Sequence, residues 1–229
     1  MELSRRLSAI EGQVRRGSRV ADIGTDHAYL PIHMMQSGLC ERVIACDLRA
    51  GPLQTAQKNV TASGAAGIEL RLGDGLAPVQ PHEIDTAIIA GMGGEIIAGI
   101  IAAAPFVKKQ PLRLILQPMS RAEDLRRYLS ENGFQIENEL AVADAGRVYP
   151  VITAVYTGAT GCYAPFELYI GQLRGKTPDE REYILRQLTW LQGLQADLSR
   201  VPRKAAQAAQ LAQVLPEIEN IVKEFAKHV

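Results

Sequence analysis

The stretch Asp22-Ile23-Gly24-Thr25-Asp26-His27 holds side chains suited to binding a charged small molecule. It closes the apolar run Arg19–Gly24, which reads as a buried strand. In open α/β sheets, ligands sit beyond the carboxyl ends of the strands. Gly24 lets the backbone turn sharply and approach a ligand closely. A dinucleotide-binding turn would carry glycines at 24, 26 and 29. Asp26 and Tyr29 stand there instead, and carboxylates repel a pyrophosphate. The acidic set suits a ligand with a positive amine, of the S-adenosylmethionine kind. A tight strand-to-helix turn capped by an aspartate accounts for the same spacing.

Other strand ends repeat the pattern. Asp47 closes the run Arg42–Asp47 and is placed to accept both hydroxyls of a ribose. A helix or turn cap is the rival role. Gly73-Asp74-Gly75-Leu76 closes a third strand. Asp74 there suits an adenine amino group, with Leu76 against the ring, although Asp-Gly is also an ordinary turn signal. Ala90-Gly91-Met92-Gly93-Gly94-Glu95 follows the fourth strand, with more glycines than a turn needs. It permits close approach to a flat substrate. Gln117-Pro118-Met119 ends the fifth strand and is the candidate far wall. Among the histidines, His27 has a site argument, against hydrogen bonding to nearby backbone. His33, His82 and His228 read as structural or exposed. Arginines group as Arg5/Arg6, Arg15/Arg16/Arg19 and Arg121/Arg126/Arg127. The first and third groups could position phosphates if they flank the pocket mouth. Trp190 reads as core or interface rather than a base-stacking residue.

The elements that must hold these residues alternate. Strands are expected at Arg19–Gly24, Arg42–Asp47, Ile68–Leu72, Asp85–Ala90 and Arg113–Gln117. Helices are expected at Ala28–Ser37, Pro52–Ala62, Glu95–Ala103 and Arg121–Asn132. A short amphipathic helix over 3–15 precedes them. Two extended segments, Phe134–Ala143 and Tyr149–Tyr156, follow around the turn Asp144-Ala145-Gly146. Continuous apolar strands alternating with helices imply a parallel sheet covered on both faces. After residue 175 the texture becomes helical. Thr177, Pro178 and Glu180 read as N-cap, first helical residue and capping-box partner. Ile184, Leu188, Leu191 and Leu198, then Leu211, Leu215, Ile218, Val222 and Phe225, fall at heptad spacing. Pro216 is expected to kink or split the second helix.

Composition bounds the function. The 229 residues include 25 Lys+Arg and 25 Asp+Glu, a net charge of zero that argues against a surface gripping nucleic acid over its whole extent. Aromatic content of 5% argues against an extended stacking platform. Cys40, Cys46 and Cys162 form no metal or disulfide pattern. No signal peptide or membrane span is read in the chain, so the expected location is the cytoplasm.

DIGTDHAYLP at 22–31, GDGL at 73–76, AGMGG at 90–94 and LILQPM at 114–119 together resemble the TrmK family, bacterial tRNA (adenine-N1)-methyltransferases that modify adenine 22. The resemblance implies an α/β fold: a Rossmann-like class I methyltransferase sheet with a C-terminal α-helical, coiled-coil-like hairpin. It implies an S-adenosylmethionine domain over 1–160 and a helical domain over 161–229. Cofactor binding would fall on Asp22, Gly24, Asp26, His27, Asp47, Asp74 and Gly91, with Asp26, Gly91, Met92 and Gly93 at the reacting centre. The residues after strand four lack the Asn that holds the exocyclic amine in many adenine-N6 enzymes, which fits a ring-nitrogen target. The implied partner is the D-loop region of tRNA, with no metal and no membrane. The expected chain is a monomer, with the tail offering a weak dimer contact. The rivals are a methyltransferase acting on a small molecule or protein, and a non-enzymatic S-adenosylmethionine-binding protein that uses the tail for assembly.

Overall fold

The computed structural model describes residues 2–161 and 163–227, so the expectations for Cys162 and His228 lie outside the described residues. The chain opens with helix α1 (Arg5–Glu11), capped by Ser4. Its Ile10, with Val14 just beyond, packs against a core that includes Val20, Val43 and Ile115. Five parallel strands follow, each but the third leading into an α-helix. The strands are β1 (Ser18–Ile23), β2 (Cys40–Asp47), β3 (Ile68–Leu72), β4 (Thr86–Gly93) and β5 (Arg113–Ser120). The helices are α2 (Tyr29–Gln36), α3 (Ala50–Ser63), α4 (Gly94–Ala102) and α5 (Ala122–Glu131). The hairpin β6 (Phe134–Asp144) and β7 (Arg147–Tyr156) completes one seven-stranded sheet in the order β3-β2-β1-β4-β5-β7-β6. β7 runs antiparallel to β5 and β6, and the other neighbours are parallel. The hairpin turns through Ala145 and Gly146, both at positive φ, as a type I′ turn requires.

The sheet is a Rossmann-like class I methyltransferase sheet, and its central strands are apolar on both faces because helices cover both. Ile23, Ile44, Ile89 and Leu116 face one core cluster, while Val20, Val43, Ile88 and Ile115 face the other. This is the physical content of the unbroken apolar runs.

Three local expectations change. β4 does not end at Ala90 but continues through Gly91-Met92-Gly93, with irregular register against β5. The glycines bulge the strand instead of terminating it. Pro52 is not the first helical residue, because α3 starts at Ala50 and Pro52 still lies in its first turn, where a missing N–H is harmless. Leu76 is buried in the core and does not face the ligand cleft.

The tail begins with the single turn α6 (Glu167–Ile170) and then forms helices α7 (Pro178–Ser199) and α8 (Ala205–Ala226). Thr177 caps α7 by accepting from the Glu180 N–H. Glu180 does not close the box onto Thr177; its carboxylate accepts from the N–H groups of Arg174 and Lys176. Ile184, Leu191, Leu211, Val214, Ile218 and Phe225 form a shared apolar seam that also takes in Ala141 of β6. α8 runs unbroken through Pro216. Pro216 is on the exposed side, so the carbonyl it deprives of a partner faces water, while Val214 and Ile218 hold the helix from the buried side.

The tail is joined to the sheet through a buried ion pair. Arg126 of α5 and Glu139 of β6 are both fully enclosed, with Arg126 Nε 2.9 Å from Glu139 Oε1. Arg126 also donates to the Leu168 and Tyr169 carbonyls of α6 and to the Tyr183 hydroxyl of α7. The second oxygen of Glu139 accepts from the Gln172 N–H. Every charge in this network is therefore compensated, as burial demands. Arg126 thus leaves the exposed arginine group in which its sequence position placed it.

Candidate active site

Parallel register sets the site. Ile23 pairs with Cys46 and Asp47 pairs with Leu72, so the ends of β1, β2 and β3 lie on one edge of the sheet. Asp22, Asp47 and Asp74 meet there around a cleft of 630 Å³. The cleft is also lined by Gly24, Asp26, His27, Gly91 and Met92, so the residues expected to hold the cofactor are brought together, whereas Gly93, Leu76, Gln117 and Pro118 do not line it. Gly93 packs toward Ser120 of β5.

The loop after β1 is tightly determined. Gly24 has φ +78°, and a side chain there would collide with the Met92 methyl group. Gly24 and Thr25 both donate N–H bonds to the Cys46 carbonyl, tying the loop to β2. Asp26 and Ala28 also lie in the left-handed region, at φ 50° and 58°. Such backbone is unfavourable outside glycine and persists where surrounding contacts enforce it, often at functional sites. His27 stacks on Tyr29 with centroids 5.2 Å apart, and its Nε2 lies 3.3 Å from Asp26 Oδ2. Its carbonyl accepts from Asn59 of α3, while its buried Nδ1 has no protein partner. The rival reading of His27, a ring hydrogen bonded to nearby backbone, therefore does not hold for Nδ1.

Asp47 is held by two backbone donors, Arg49 N–H to Oδ1 at 2.9 Å and Asp26 N–H to Oδ2 at 3.4 Å. Asp22 is 6% exposed. Burial, with a lesser push from the Asp47 charge, lifts its carboxyl to about 6, and the Thr25 hydroxyl opposes that shift. A cationic ligand would relieve this buried negative charge. Cys46 behaves as a small apolar residue, since burial pushes its thiol up to about 12.

Sequence reasoning missed part of the wall. Leu48, 64% exposed beside Asp47, and Ile96 and Ile100 of α4 provide apolar surface around the cleft. Arg6 and Leu7 of α1 reach it from the far end of the chain. Arg6 donates to Gln117 Oε1 at 2.8 Å, which fixes α1 over the end of β5; Gln117 itself is fully buried. Met119 and Tyr29 complete that side. Of the arginine groups, Arg6 alone lines the cleft; Arg5 pairs with Asp179 of α7, and Arg121 and Arg127 pair with Asp124.

Residues 3–152 match the family model described as a methyltransferase domain. The chain is 32% identical over 234 aligned residues to the tRNA (adenine(22)-N(1))-methyltransferase of Bacillus subtilis, covering 100% of this chain and 98% of that one. The chain belongs to the TrmK family. A Streptococcus pneumoniae protein described as a tRNA (m1A22) methyltransferase, solved in complex with S-adenosyl-L-methionine, superposes with a TM-score of 0.80 at 30% identity, over 93% of this chain and 100% of that chain. Mycoplasma capricolum TrmK, solved with S-adenosyl-homocysteine, has the same fold, with a TM-score of 0.80 at 24% identity over 97% of this chain and 99% of that chain. The TrmK match includes the helical tail, because the coverage is end to end.

The TrmK cofactor fits the residues present here. Carboxylates on adjacent strand ends suit its positive charge. Among the described residues, no three His, Cys, Asp or Glu side chains converge as a metal site, and no helix is long and apolar enough to cross a membrane.

Proposed function

We propose that this protein methylates N1 of adenine 22 in tRNA, using S-adenosylmethionine. The observation that carries the reading is the set of carboxylates at the ends of β1, β2 and β3, facing a cleft also lined by Met92, Met119 and Tyr29. Asp47 would accept the ribose hydroxyls, with its oxygens already oriented by the Arg49 and Asp26 N–H groups. Asp22 and Asp26 would hold the amine of the cofactor, Asp74 the adenine amino group, and Leu48 the flat face of that ring. When bound, S-adenosylmethionine supplies an electrophilic methyl group on a sulfonium.

The chain's own part in the reaction is positioning. N1 of adenine carries a free lone pair at neutral pH, so no side chain must remove a proton before attack. The target base must leave its stack, at a cost of a few kcal/mol. Gly91 contributes no side chain to the cleft at the bulged end of β4, and the open space above it admits a flat ring. Met92 and Met119 exclude water near the reacting atoms, which favours transfer between two desolvated groups. The ring becomes cationic as the bond to N1 forms. Asp26, exposed at the cleft, has the sign to stabilise that charge.

The test is incubation with unmodified tRNA carrying A22 and S-adenosylmethionine, followed by nucleoside mass spectrometry. The expected product is 1-methyladenosine, absent when A22 is replaced. Methylation of another nucleoside, or none, overturns the reading.

A further inference from the structure

A second cavity, of 280 Å³, lies where the sheet meets the tail, and Met119 lines both it and the cofactor cleft. Its walls come from the end of β5, the start of α5, the start of β7 and helix α7. Tyr149 and Tyr183 are buried, while Trp190 is 47% exposed. The cavity is therefore aromatic and apolar at depth, with Gln187 and Glu123 as polar groups able to meet a base edge. Arg121 stands at its margin, with its backbone at φ 56°.

The walls are preorganised. Trp190 leans on Tyr169 with centroids 6.3 Å apart, which restricts its ring. Tyr183 is bonded to Arg126 and to the Tyr169 carbonyl, inside the buried network that joins α5, α6 and α7. A half-exposed tryptophan over a fixed cavity, next to the proposed catalytic cleft across Met119, is surface that a flat apolar ligand can cover. A nucleobase matches it: stacking takes the π-face, and the amide and carboxylate take the edge.

We infer that this cavity receives an unpaired base of the tRNA substrate, neighbouring the target adenine and stacked on Trp190. The inference rests on the proposed tRNA activity. The shared Met119 places the cavity beside the cleft, where a nucleotide flanking the one undergoing methylation must lie. A base held here would steady the strand after the target has left its stack.

Trp190 is the one tryptophan in the chain, so its fluorescence reports on this cavity alone. The wild-type protein is titrated with unmodified tRNA carrying A22, and methyl transfer is measured on the same preparation. The expected result is saturable quenching of emission over the same tRNA range as KM. Trp190→Ala should raise KM for tRNA about tenfold, equivalent to about 1.4 kcal/mol of lost stacking, while cofactor affinity is unchanged. Trp190→Phe, which keeps an aromatic face, should recover most of the affinity and guards against misfolding of the alanine variant. If A22 is methylated but emission does not change and Trp190→Ala leaves KM unaltered, the inference is overturned while the proposed activity stands. Emission that varies with protein concentration and not with tRNA assigns the cavity to a second copy of the chain, which also overturns it. No methylation of tRNA by the wild-type protein refutes the proposed activity and the inference together.

Discussion

Asp22 carries a buried negative charge that the protein's own contacts do not fully compensate, and replacing it by asparagine measures what that charge does. Its carboxyl ionises at about 6 in the fold against 3.8 for an ordinary aspartate, with burial as the leading cause. That difference corresponds to a penalty of about 3 kcal/mol on the charged form. Between 3.8 and about 6 the native chain holds a proton at this site that the unfolded chain has lost, so stability falls as pH rises through this window. The penalty is absent below 3.8 and fully present above about 6. Asp22→Asn removes the charge with little change in shape. In the absence of cofactor, the variant should be more stable than wild type at neutral pH by up to about 3 kcal/mol, and the advantage should vanish on acidification. Urea denaturation from about pH 4 to about pH 8 reads the difference directly. The same variant should bind S-adenosylmethionine about tenfold or more weakly, because an ammonium loses its counter-charge. Calorimetric titration measures that loss. A variant less stable than wild type, or a stability difference independent of pH, would refute the argument.

Asp47→Ala deletes the acceptor of the Arg49 and Asp26 N–H groups along with the proposed ribose ligand. Cofactor affinity should fall at least about tenfold by calorimetric titration, and an unchanged affinity removes Asp47 from that role. Arg126→Met leaves Glu139 charged and enclosed, and should destabilise the chain by about 3–5 kcal/mol. Adding Glu139→Leu should restore much of the loss; chemical denaturation of both variants checks this, and a single-variant cost below about 1 kcal/mol contradicts it.

The sheet was legible because its signal is local. Runs such as Arg42–Asp47 and Arg113–Gln117 are apolar without alternation, and that texture belongs to strands covered on both faces. The acidic strand ends were legible for the same reason, since parallel register aligns them once the strands are placed. What escaped depends on distant or three-dimensional partners. Arg6 joins the cleft through Gln117, far along the chain, and nothing near Arg6 announces it. Arg126 reads as one more surface arginine until Glu139 and the turns of α6 close over it. The left-handed backbone at Ala28 has no residue signature, because glycine is the usual marker and is missing there, and at Asp26 the only signal is the mild tolerance of aspartate for that region. Pro216 and the glycines after Ala90 misled in the opposite direction. Both are breakers in isolation, yet a solvent-facing proline and a bulged strand tolerate them.

The enclosed Arg126–Glu139 pair has a mechanical consequence. A tail attached by a flexible linker could swing to meet its substrate, whereas this one is riveted to α5 and to β6, the edge strand of the sheet, through α6, α7 and Gln172. Such a molecule behaves as a caliper with its jaws locked. For the tRNA activity proposed above, the spacing between tail and cleft is set when the chain folds, before any substrate arrives.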